Sequence, residues 1–433
     1  MHPLQLILQG YTESQRGVYS VCSSNELVLQ AAIRHAKKNN YVLAIEATAN
    51  QVNQFGGYTG MQPADFAKLV ESIAALEGLQ KNQLILGGDH LGPLTWQNLN
   101  EEQAMAHSKE MVKAFALAGF TKIHLDTSMR VASDDPNSPL EVQVCADRCV
   151  SLAKSVYQAY EQRLTEYPDS LRPVLVIGSE VPIPGGSQVH EDFVVPTEPL
   201  EFERQYNIFK DAFNAANLNF DDVVAFVVQP GIEFGDDFVF QYNRESTKQL
   251  VAKLQEFKPM VFEGHSTDYQ TASSLAAMVE DNIRILKVGP GLTFGLREAL
   301  FLAEDIEKAL IADPERQSKI KETLLREMNI SDRYWKNYYT GTESEIEFKK
   351  LYSYSDRCRY YLPQKSIQDS IDILLKNLTL IPVSLISQYF PRQYTRVMKG
   401  QLEATGLSII LDRVCDWCDP YASACGIHIN CQR

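Results

Sequence analysis

The sequence predicts a closed (β/α)8 barrel followed by a mostly helical C-terminal extension. Eight short runs are almost continuously apolar, which is typical of strands buried on both faces of a parallel sheet. Helix-like stretches alternate with these runs, and all eight units fit into about 300 residues, the size of such a barrel. An open doubly wound sheet would have fewer strands and a glycine-rich phosphate fingerprint, but the chain has neither a GxGxxG nor a Walker A motif.

The predicted strands all have this apolar character and are residues 17–22, 41–47, 84–89, 122–126, 174–180, 223–229, 260–265 and 283–289. The clearest predicted helices have suitable length and, in the last two, apolar residues spaced by three and four, and they are residues 25–38, 63–77, 101–119 and 293–311. After about residue 311 the pattern changes to helical stretches with aromatic clusters such as YWKNYY. We therefore predict a barrel over residues 1–311 and a helical extension over 312–433 that packs on it.

Composition indicates a water-soluble protein. No segment approaches the roughly 20 apolar residues that a membrane-spanning helix requires, and the start MHPLQLILQG lacks the basic region and cleavage site of a secretory signal. We expect a cytoplasmic location. The net charge of −14 repels nucleic acid and anionic lipid, so neither is an expected partner.

Eight cysteines are present, four of them near the C-terminus as Cys415, Cys418, Cys425 and Cys431. In a reducing compartment the expected state is free thiols. The CDWC run and the two following cysteines leave a zinc knuckle as an alternative, although the second half lacks compact ligand spacing.

Polar side chains occur at the carboxyl end of nearly every predicted strand. Because these ends form one face of a barrel, the polar groups are expected to converge on an active mouth. They are Glu46, Asn50, Asp89, His90, His124, Asp126, Glu180, Gln229, Glu263, His265 and Lys287. For any single residue the alternative is structural: an acid can be a satisfied core group or helix cap, and His124 can pack between helix and sheet.

Imidazoles and carboxylates together, without thiolates, predict a divalent ion such as zinc, manganese or cobalt. The first-choice ligands are His90, Glu263 and His265. The alternative for His90 is a hydrogen-bonded pair with Asp89 and no metal.

Small residues and hydroxyls cluster after strands 5, 7 and 8. Backbone amides in such loops, next to helix N-termini, suit a phosphate dianion, although each loop alone is consistent with ordinary turn chemistry. The candidates are Gly185, Gly186, Ser187, Ser266, Thr267, Gly289 and Thr293.

Several longer motifs resemble the GatZ/KbaZ family, among them IEATANQVNQFGGYTGM, GGDHLGPLTWQ, IGSEVPIPGG, FEGHSTDYQT, LKVGPGLTFGLREALF and YSYSDRCRYY. The likeness extends from about residue 16 to residue 425. This family is named for the accessory, non-catalytic subunit of class II D-tagatose 1,6-bisphosphate aldolase.

The resemblance implies a barrel related to the metal-dependent class II aldolases and a role in the breakdown of galactitol, N-acetylgalactosamine or tagatose. It implies that the chain supports a separate catalytic class II aldolase subunit. It also implies an oligomer, either of this chain alone or with that subunit. Some relatives resemble ketose-phosphate 4-epimerases in their own right.

Set against the catalytic aldolases, the resemblance gives Asp89 a proton-transfer role and His90 a metal-ligand role by position. Glu180 matches an acid in their loop after strand 5. Two further histidine ligands of those enzymes correspond to Gln229 and Glu263, and His265 lies close enough in sequence to substitute.

Two functions follow as expectations: an accessory subunit of the aldolase, or a metal-dependent 4-epimerase that interconverts D-tagatose 6-phosphate and D-fructose 6-phosphate by retro-aldol chemistry. In the second, Asp89 or another carboxylate, Glu46 or Glu180, moves the proton, and Lys287 neutralises developing charge or, as a weaker alternative, forms a Schiff base. Asn50, Asp126 and Arg359 are further candidates for binding the phosphorylated ketohexose.

Overall fold

A computed structural model describes residues 1–179, 186–187 and 194–429. Eight parallel strands close into a barrel because β1 pairs with both β2 and β8. The strands are Val18–Val21 (β1), Leu43–Thr48 (β2), Leu84–Leu91 (β3), Lys122–Leu125 (β4), Val174–Ile177 (β5), Val223–Val228 (β6), Val261–Gly264 (β7) and Ile283–Val288 (β8). The predicted (β/α)8 barrel with a helical C-terminal part is thereby confirmed.

Helices surround the barrel and make up the C-terminal part. Up to residue 310 they are Pro3–Leu8 (α1), Glu26–Asn39 (α2), Pro63–Glu77 (α3), Glu101–Leu117 (α4), Val142–Glu166 (α5), Pro199–Ala215 (α6), Arg244–Leu254 (α7), Ala272–Glu280 (α8) and Pro290–Leu310 (α9). Beyond it they are Ile320–Ile330 (α10), Glu343–Tyr352 (α11), Lys365–Asn377 (α12), Val383–Tyr389 (α13), Pro391–Met398 (α14) and Gly406–Ala424 (α15). A short antiparallel hairpin, Glu233–Phe234 with Val239–Phe240, was not predicted.

Local sequence signals fix where the helices begin. Asn25 caps α2 because its side-chain oxygen accepts hydrogen bonds from the Leu27 and Val28 amides, and Asn100 caps α4 in the same way. Pro63 occupies the first turn of α3, where its missing N–H has no consequence for the helix. Because all eight strands run parallel, their carboxyl ends lie at the same face of the barrel.

The opposite face of the barrel, at the amino ends of the strands, is closed by α1. Leu4, Ile7 and Leu8 of this helix are buried and belong to an apolar cluster with the first residues of the strands, including Val18 and Ile285. His2 caps α1 by accepting a hydrogen bond from the Leu4 amide at 3.1 Å. We call this region the bottom of the barrel and the carboxyl-end face its mouth.

The last helix, α15, packs against α2, α8 and α9 on the outside of the barrel. It contributes Tyr421, whose hydroxyl donates to the Thr267 carbonyl at 2.7 Å just below the mouth. Cys418 and Cys425 are buried in this packing as free thiols, and Cys431 lies outside the described residues. The zinc knuckle and the boundary near residue 311 remain predictions. No helix in the described ranges is long and apolar enough to span a membrane.

Candidate active site in the barrel mouth

The stretch LILGGDHL is the whole of β3, and its two glycines make room for larger neighbours. A Cβ on Gly87 would lie 2.5 Å from Cγ of Glu46, and one on Gly88 would lie 2.5 Å from a Leu91 methyl. His90 has a φ of +49°, and the register between β3 and β4 shifts between Gly88 and Leu91. This irregularity of the strand lets both Asp89 and His90 contribute to the mouth.

The side chains of the consecutive residues Asp89 and His90 form no hydrogen bond with each other. Asp89 Oδ1 lies 2.9 Å from His124 Nδ1, and His90 Nδ1 lies 2.9 Å from Asp126 Oδ2. Asp89 Oδ2 and His90 Nε2 are 3.9 Å apart, which is a long ion pair. The alternative of a hydrogen-bonded pair between Asp89 and His90 is therefore wrong, because the hydrogen-bond partner of the His90 ring is Asp126.

Two buried lysines bridge the acids at the centre of the barrel. Lys122 Nζ lies 2.7 Å from Glu46 Oε1 and 2.7 Å from Glu263 Oε2, as ion pairs whose angles depart from hydrogen-bond geometry. Lys287 Nζ lies 2.6 Å from Glu46 Oε2 and 2.8 Å from Asp89 Oδ1. Lys287 Nζ also lies 3.8 Å from Glu263 Oε1. Because each lysine has at least two carboxylate partners, the strong desolvation of these charges is partly offset by pairing.

The charge network shifts the pKa values of its members. Burial would raise the pKa of Asp89, but the positive charges of His90 and Lys287 hold it well below its ordinary value. Glu263 behaves likewise, since Lys122 and Lys287 outweigh burial and lower its pKa. Burial would lower the pKa of Lys287, but its acidic neighbours raise it well above the usual value. Asp89 and Glu263 are ionised and Lys287 is charged throughout the neutral range.

Three imidazoles converge above this network, and each is held by one carboxylate. His124 is held by Asp89 and His90 by Asp126, as described, and His265 Nε2 lies 2.9 Å from Glu263 Oε1. The ring centroids are 5.2 Å apart for His90 and His124, 4.9 Å for His90 and His265, and 5.1 Å for His124 and His265. Nε2 of His124 is buried without a hydrogen-bond partner.

This arrangement fits a divalent metal ion. Rings that bind one tetrahedral ion at about 2.1 Å per nitrogen have centroids roughly 5 Å apart, which matches the triangle of rings. A carboxylate on the opposite ring nitrogen is the usual support for a histidine ligand. Ligand atoms of Asp89, His124, Glu263 and His265 also lie within 4.8 Å of one another. His124 and His265 belong both to the triangle of three rings and to this second set of four ligands.

The charge balance of the cluster also favours a cation. Four carboxylates, Glu46, Asp89, Asp126 and Glu263, face two ammonium groups, Lys122 and Lys287, which leaves a surplus of two negative charges. Buried charge is costly unless it is compensated. Burial would lower the pKa of His90, but Asp89 and Asp126 raise it, so protonation of this ring supplies part of the balance. A divalent cation would supply all of it.

A cavity of about 640 Å³, including solvent at its opening, leads from the surface to this cluster. Asp89, His90, His265 and Lys287 form its floor. Most residues of the walls are polar or aromatic. The walls comprise Cys22, Thr48, Asn50, Gln51, Tyr58, Phe234, Ser266, Asp268, Val288, Gly289, Pro290, Arg359 and Tyr360.

The C-terminal extension completes the wall with Arg359 and Tyr360. Arg359 donates to the backbone oxygens of Ser355 and Asp356 and to the Tyr360 hydroxyl, all of them neutral acceptors. Within the described ranges no carboxylate lies in ion-pair distance of its guanidinium. Burial would raise the pKa of Tyr360, but Arg359 and Arg357 lower it to about 8. Arg359 thus presents to the cavity a cation without a direct ion-pair partner among the described residues, and the carboxylates of Asp356 and Asp268 act on it from farther away.

Asp268 occupies the amides at the start of α9. Its Oδ1 accepts hydrogen bonds from the Gly289 amide at 3.0 Å and from the Gly291 amide at 2.7 Å. Burial raises the pKa of this carboxyl to about 6, against the two amides, which lower it. The predicted phosphate cradle at Gly289 therefore already holds an internal anion.

Other predicted binding residues serve the framework of the mouth. Thr267 is fully buried and donates to the Lys287 carbonyl at 2.6 Å, and Thr293 donates to Asp356 Oδ2 at 2.7 Å. Asp126 is also fully buried, and it holds His90 and Ser128 instead of facing the cavity. Ser266 and Asn50 do line the cavity.

Three further predicted site residues, Gln229, Gly186 and Ser187, make contacts outside the metal cluster. The Gln229 side-chain oxygen accepts from the Gly231 and Ile232 amides and is not part of the metal cluster. Gly186 and Ser187 lie beside Phe234, whose carbonyl accepts from the Ser187 amide at 2.9 Å. Glu180 and Gly185 lie outside the described residues.

Sequence reasoning missed His124 as a ligand and Lys122 and Asp268 altogether. His124 and Lys122 alternate along β4, and this period of two places both side chains inside the barrel. A lysine and a histidine on the inward face of an apolar strand were therefore a usable signal. The contact of Asp268 with the α9 amides depends on the left-handed backbone at Ser266 and Tyr269 and had no comparable signal.

Comparison with known proteins settles the relationship of the chain. The model of a family described as D-tagatose-1,6-bisphosphate aldolase subunit GatZ/KbaZ-like matches residues 4–426. The chain belongs to this family. The crystal structure of a probable tagatose 6-phosphate kinase from Sinorhizobium meliloti 1021 is similar to this family member at 38% identity and a TM-score of 0.84, over 94% of this chain and 100% of that one.

More distant solved structures match as well. The fructuronate-tagaturonate epimerase UxaE from Cohnella laeviribosi matches at 13% identity and a TM-score of 0.45, over 96% of this chain and 83% of that one. The fructose-bisphosphate aldolase from Campylobacter jejuni matches at 14% identity and a TM-score of 0.42, over 86% and 90%. Both matches are too distant to support an inference about the reaction of the GatZ/KbaZ-like chain.

Proposed function

We propose that this GatZ/KbaZ-like chain is a metal-dependent 4-epimerase that interconverts D-tagatose 6-phosphate and D-fructose 6-phosphate. The observation that supports it most is the triangle of three carboxylate-held imidazoles at the floor of the cavity. Burying four acids, two lysines and three histidines together is costly. A site without a reaction to perform would tolerate apolar replacements that cost less. The family description and the name of the Sinorhizobium relative support a tagatose phosphate as substrate.

The position of the substrate carbonyl dictates the route. In a 2-ketose the C2 carbonyl makes the protons on C1 and C3 acidic but not the proton on C4, so deprotonation cannot invert C4. Cleavage of the C3–C4 bond can, because its electron pair passes into the C2–C3 enediolate and C4 becomes an aldehyde. Rotation of the aldehyde and attack by C3 on its other face restore the bond with C4 inverted.

Residues of the mouth divide this chemistry among them. His90, His124 and His265, or His124 and His265 with Asp89 and Glu263, would hold a divalent ion, which would supply Lewis-acid chemistry for the substrate carbonyl. Asp89, ionised at neutral pH, accepts the C4-hydroxyl proton during cleavage and returns it on closure. Lys287, 2.8 Å from Asp89, holds that carboxylate in place and offsets the charge of the enediolate. Arg359 binds the 6-phosphate.

A one-substrate assay tests the proposal. The purified chain, loaded with zinc, manganese or cobalt, is incubated with D-fructose 6-phosphate, and the products are followed by NMR. We expect D-tagatose 6-phosphate from the wild type and from His107→Gln, a control on a partly exposed histidine of α4. His124→Ala is expected to lose both the metal and the turnover.

A second candidate is an accessory role, which the family description as an aldolase subunit favours. In that case the chain alone produces no epimer with any of the three metals, and its addition to a class II aldolase raises the activity or the thermal stability of that enzyme several-fold. The pair of results separates the two functions, since the epimerase needs no partner chain.

A further inference from the structure

The cations that line the cavity suggest how many phosphates its ligand carries. Among the lining side chains, the lysine and arginine residues are Lys287 and Arg359, which carry a positive charge. The charge of Lys287 is neutralised by Glu46 and Asp89. Arg359 therefore remains as the cation without a direct ion-pair partner in the described cavity wall. One guanidinium suits one phosphate.

The backbone amides that could bind a phosphate already donate to a side chain of the protein. Backbone amides at a helix N-terminus bind anions, and barrels often bind phosphate near their last two strands. Here the Gly289 and Gly291 amides donate to the buried Asp268 carboxylate, 3% exposed. A phosphate dianion approaching these amides would meet the Asp268 charge, whereas a sugar hydroxyl could donate a hydrogen bond to the same carboxylate.

We propose that Asp268 is a specificity-determining residue that restricts the site to ketohexose monophosphates and excludes 1,6-bisphosphates. Arg359 binds the single phosphate, and Asp268 rejects a second one. This inference rests on the proposed function, because it concerns the substrate of the same site. It adds a distinction that the family description, which refers to a bisphosphate, does not contain.

Equilibrium binding tests this inference without requiring turnover. Calorimetric titrations at pH 7, where Asp268 is mostly ionised and Tyr360 is mostly neutral, compare fructose 6-phosphate with fructose 1,6-bisphosphate on the zinc-loaded wild type. We expect the monophosphate to bind about tenfold more tightly or better, although the bisphosphate carries more charge, because like charges in a closed site repel strongly. Equal affinities, tighter binding of the bisphosphate, or no saturable binding of the monophosphate would overturn the inference.

Variants locate the effect. Asp268→Asn retains the shape of the side chain and removes its charge, and it is expected to reduce the preference at least several-fold. Asp237→Asn, on an exposed residue of the nearby hairpin, makes the same change in net charge and is expected to leave the preference intact. Arg359→Gln is expected to weaken the binding of the monophosphate about tenfold and to leave the binding of unphosphorylated fructose unchanged. An unaltered preference in a folded Asp268→Asn protein contradicts the role of Asp268.

The two proposals fail separately. A monophosphate preference without epimerisation would disprove the reaction but not the specificity. Epimerisation of fructose 6-phosphate, with bisphosphate bound equally well, would disprove the specificity but not the reaction.

Discussion

The two ends of the barrel are built from opposite kinds of side chain. At the bottom, α1 inserts Leu4, Ile7 and Leu8 among aliphatic residues of the strands. At the mouth, the same strands end in acids, lysines and histidines that are equally buried. Apolar burial contributes stability directly, whereas buried charges stabilise little even when they are paired. The difference indicates that the bottom maintains the fold and that the mouth is retained for its chemistry.

The largest expected effect is on turnover, from Asp89→Asn at the mouth. The amide cannot accept the C4-hydroxyl proton, so we expect epimerase activity to fall by about 10³-fold or more. The fold should persist because Lys287 retains Glu46 at 2.6 Å. Initial rates and thermal unfolding of the same preparation measure both quantities. A variant with wild-type turnover contradicts the role of Asp89.

The corresponding change at the bottom is Leu4→Ala. Leu4 is 0% exposed, and loss of a fully buried leucine side chain costs about 2–5 kcal/mol of unfolding free energy. We expect this loss in urea unfolding, with kcat of the folded protein unchanged because the mouth is at the other end of the barrel. A large decrease in kcat at full folding would show that the two ends are coupled.

A pH effect is expected at the bottom through His2. Burial, reinforced by the chain's amino group, lowers the pKa of His2 from 6.5 to about 4, so the unfolded chain binds the proton more readily. The contribution of His2 is complete above pH 6.5 and is lost as the pH falls towards 4. Between pH 7.5 and pH 5 we expect a loss of about 2 kcal/mol.

His2→Asn serves as the control for this pH effect, because asparagine retains a cap acceptor and does not titrate. Unfolding by urea at the two pH values should show a smaller decrease for the variant than for the wild type. Equal decreases would assign the pH dependence to other groups.

The smallest expected effect is that of Asp126→Asn, which changes a support of the metal cluster without removing a ligand. Loss of the carboxylate behind His90 should weaken zinc binding by about tenfold or more, as is usual for such supporting partners. Competition with a chelator measures the affinity. Asp135→Asn, on an exposed acid of the loop after β4, is the matched control. An unchanged affinity would remove His90 from the ligand set.

The sequence was sufficient for the barrel, because eight apolar runs and their helices are local patterns with a fixed period. It also indicated Glu46, Asp89, His265 and Lys287 at the mouth, since position along a strand decides which end a residue reaches. It did not reveal which groups pair. Asp89 contacts His124 on the next strand because His90 has a left-handed backbone, and Asp268 reaches the α9 amides across a loop. Such contacts depend on register and turn geometry, which residue types alone do not specify.

The central claim, that the mouth epimerises C4 by cleaving and reforming the C3–C4 bond, is tested most directly with D-fructose 6-phosphate deuterated at C4. The zinc-loaded chain alone is incubated with this substrate in ordinary water, and the product is examined by NMR. The account predicts D-tagatose 6-phosphate that retains its deuterium at C4, because the C4–H bond is never broken. Absence of the epimer, or an epimer whose C4 deuterium has exchanged with solvent, would contradict it.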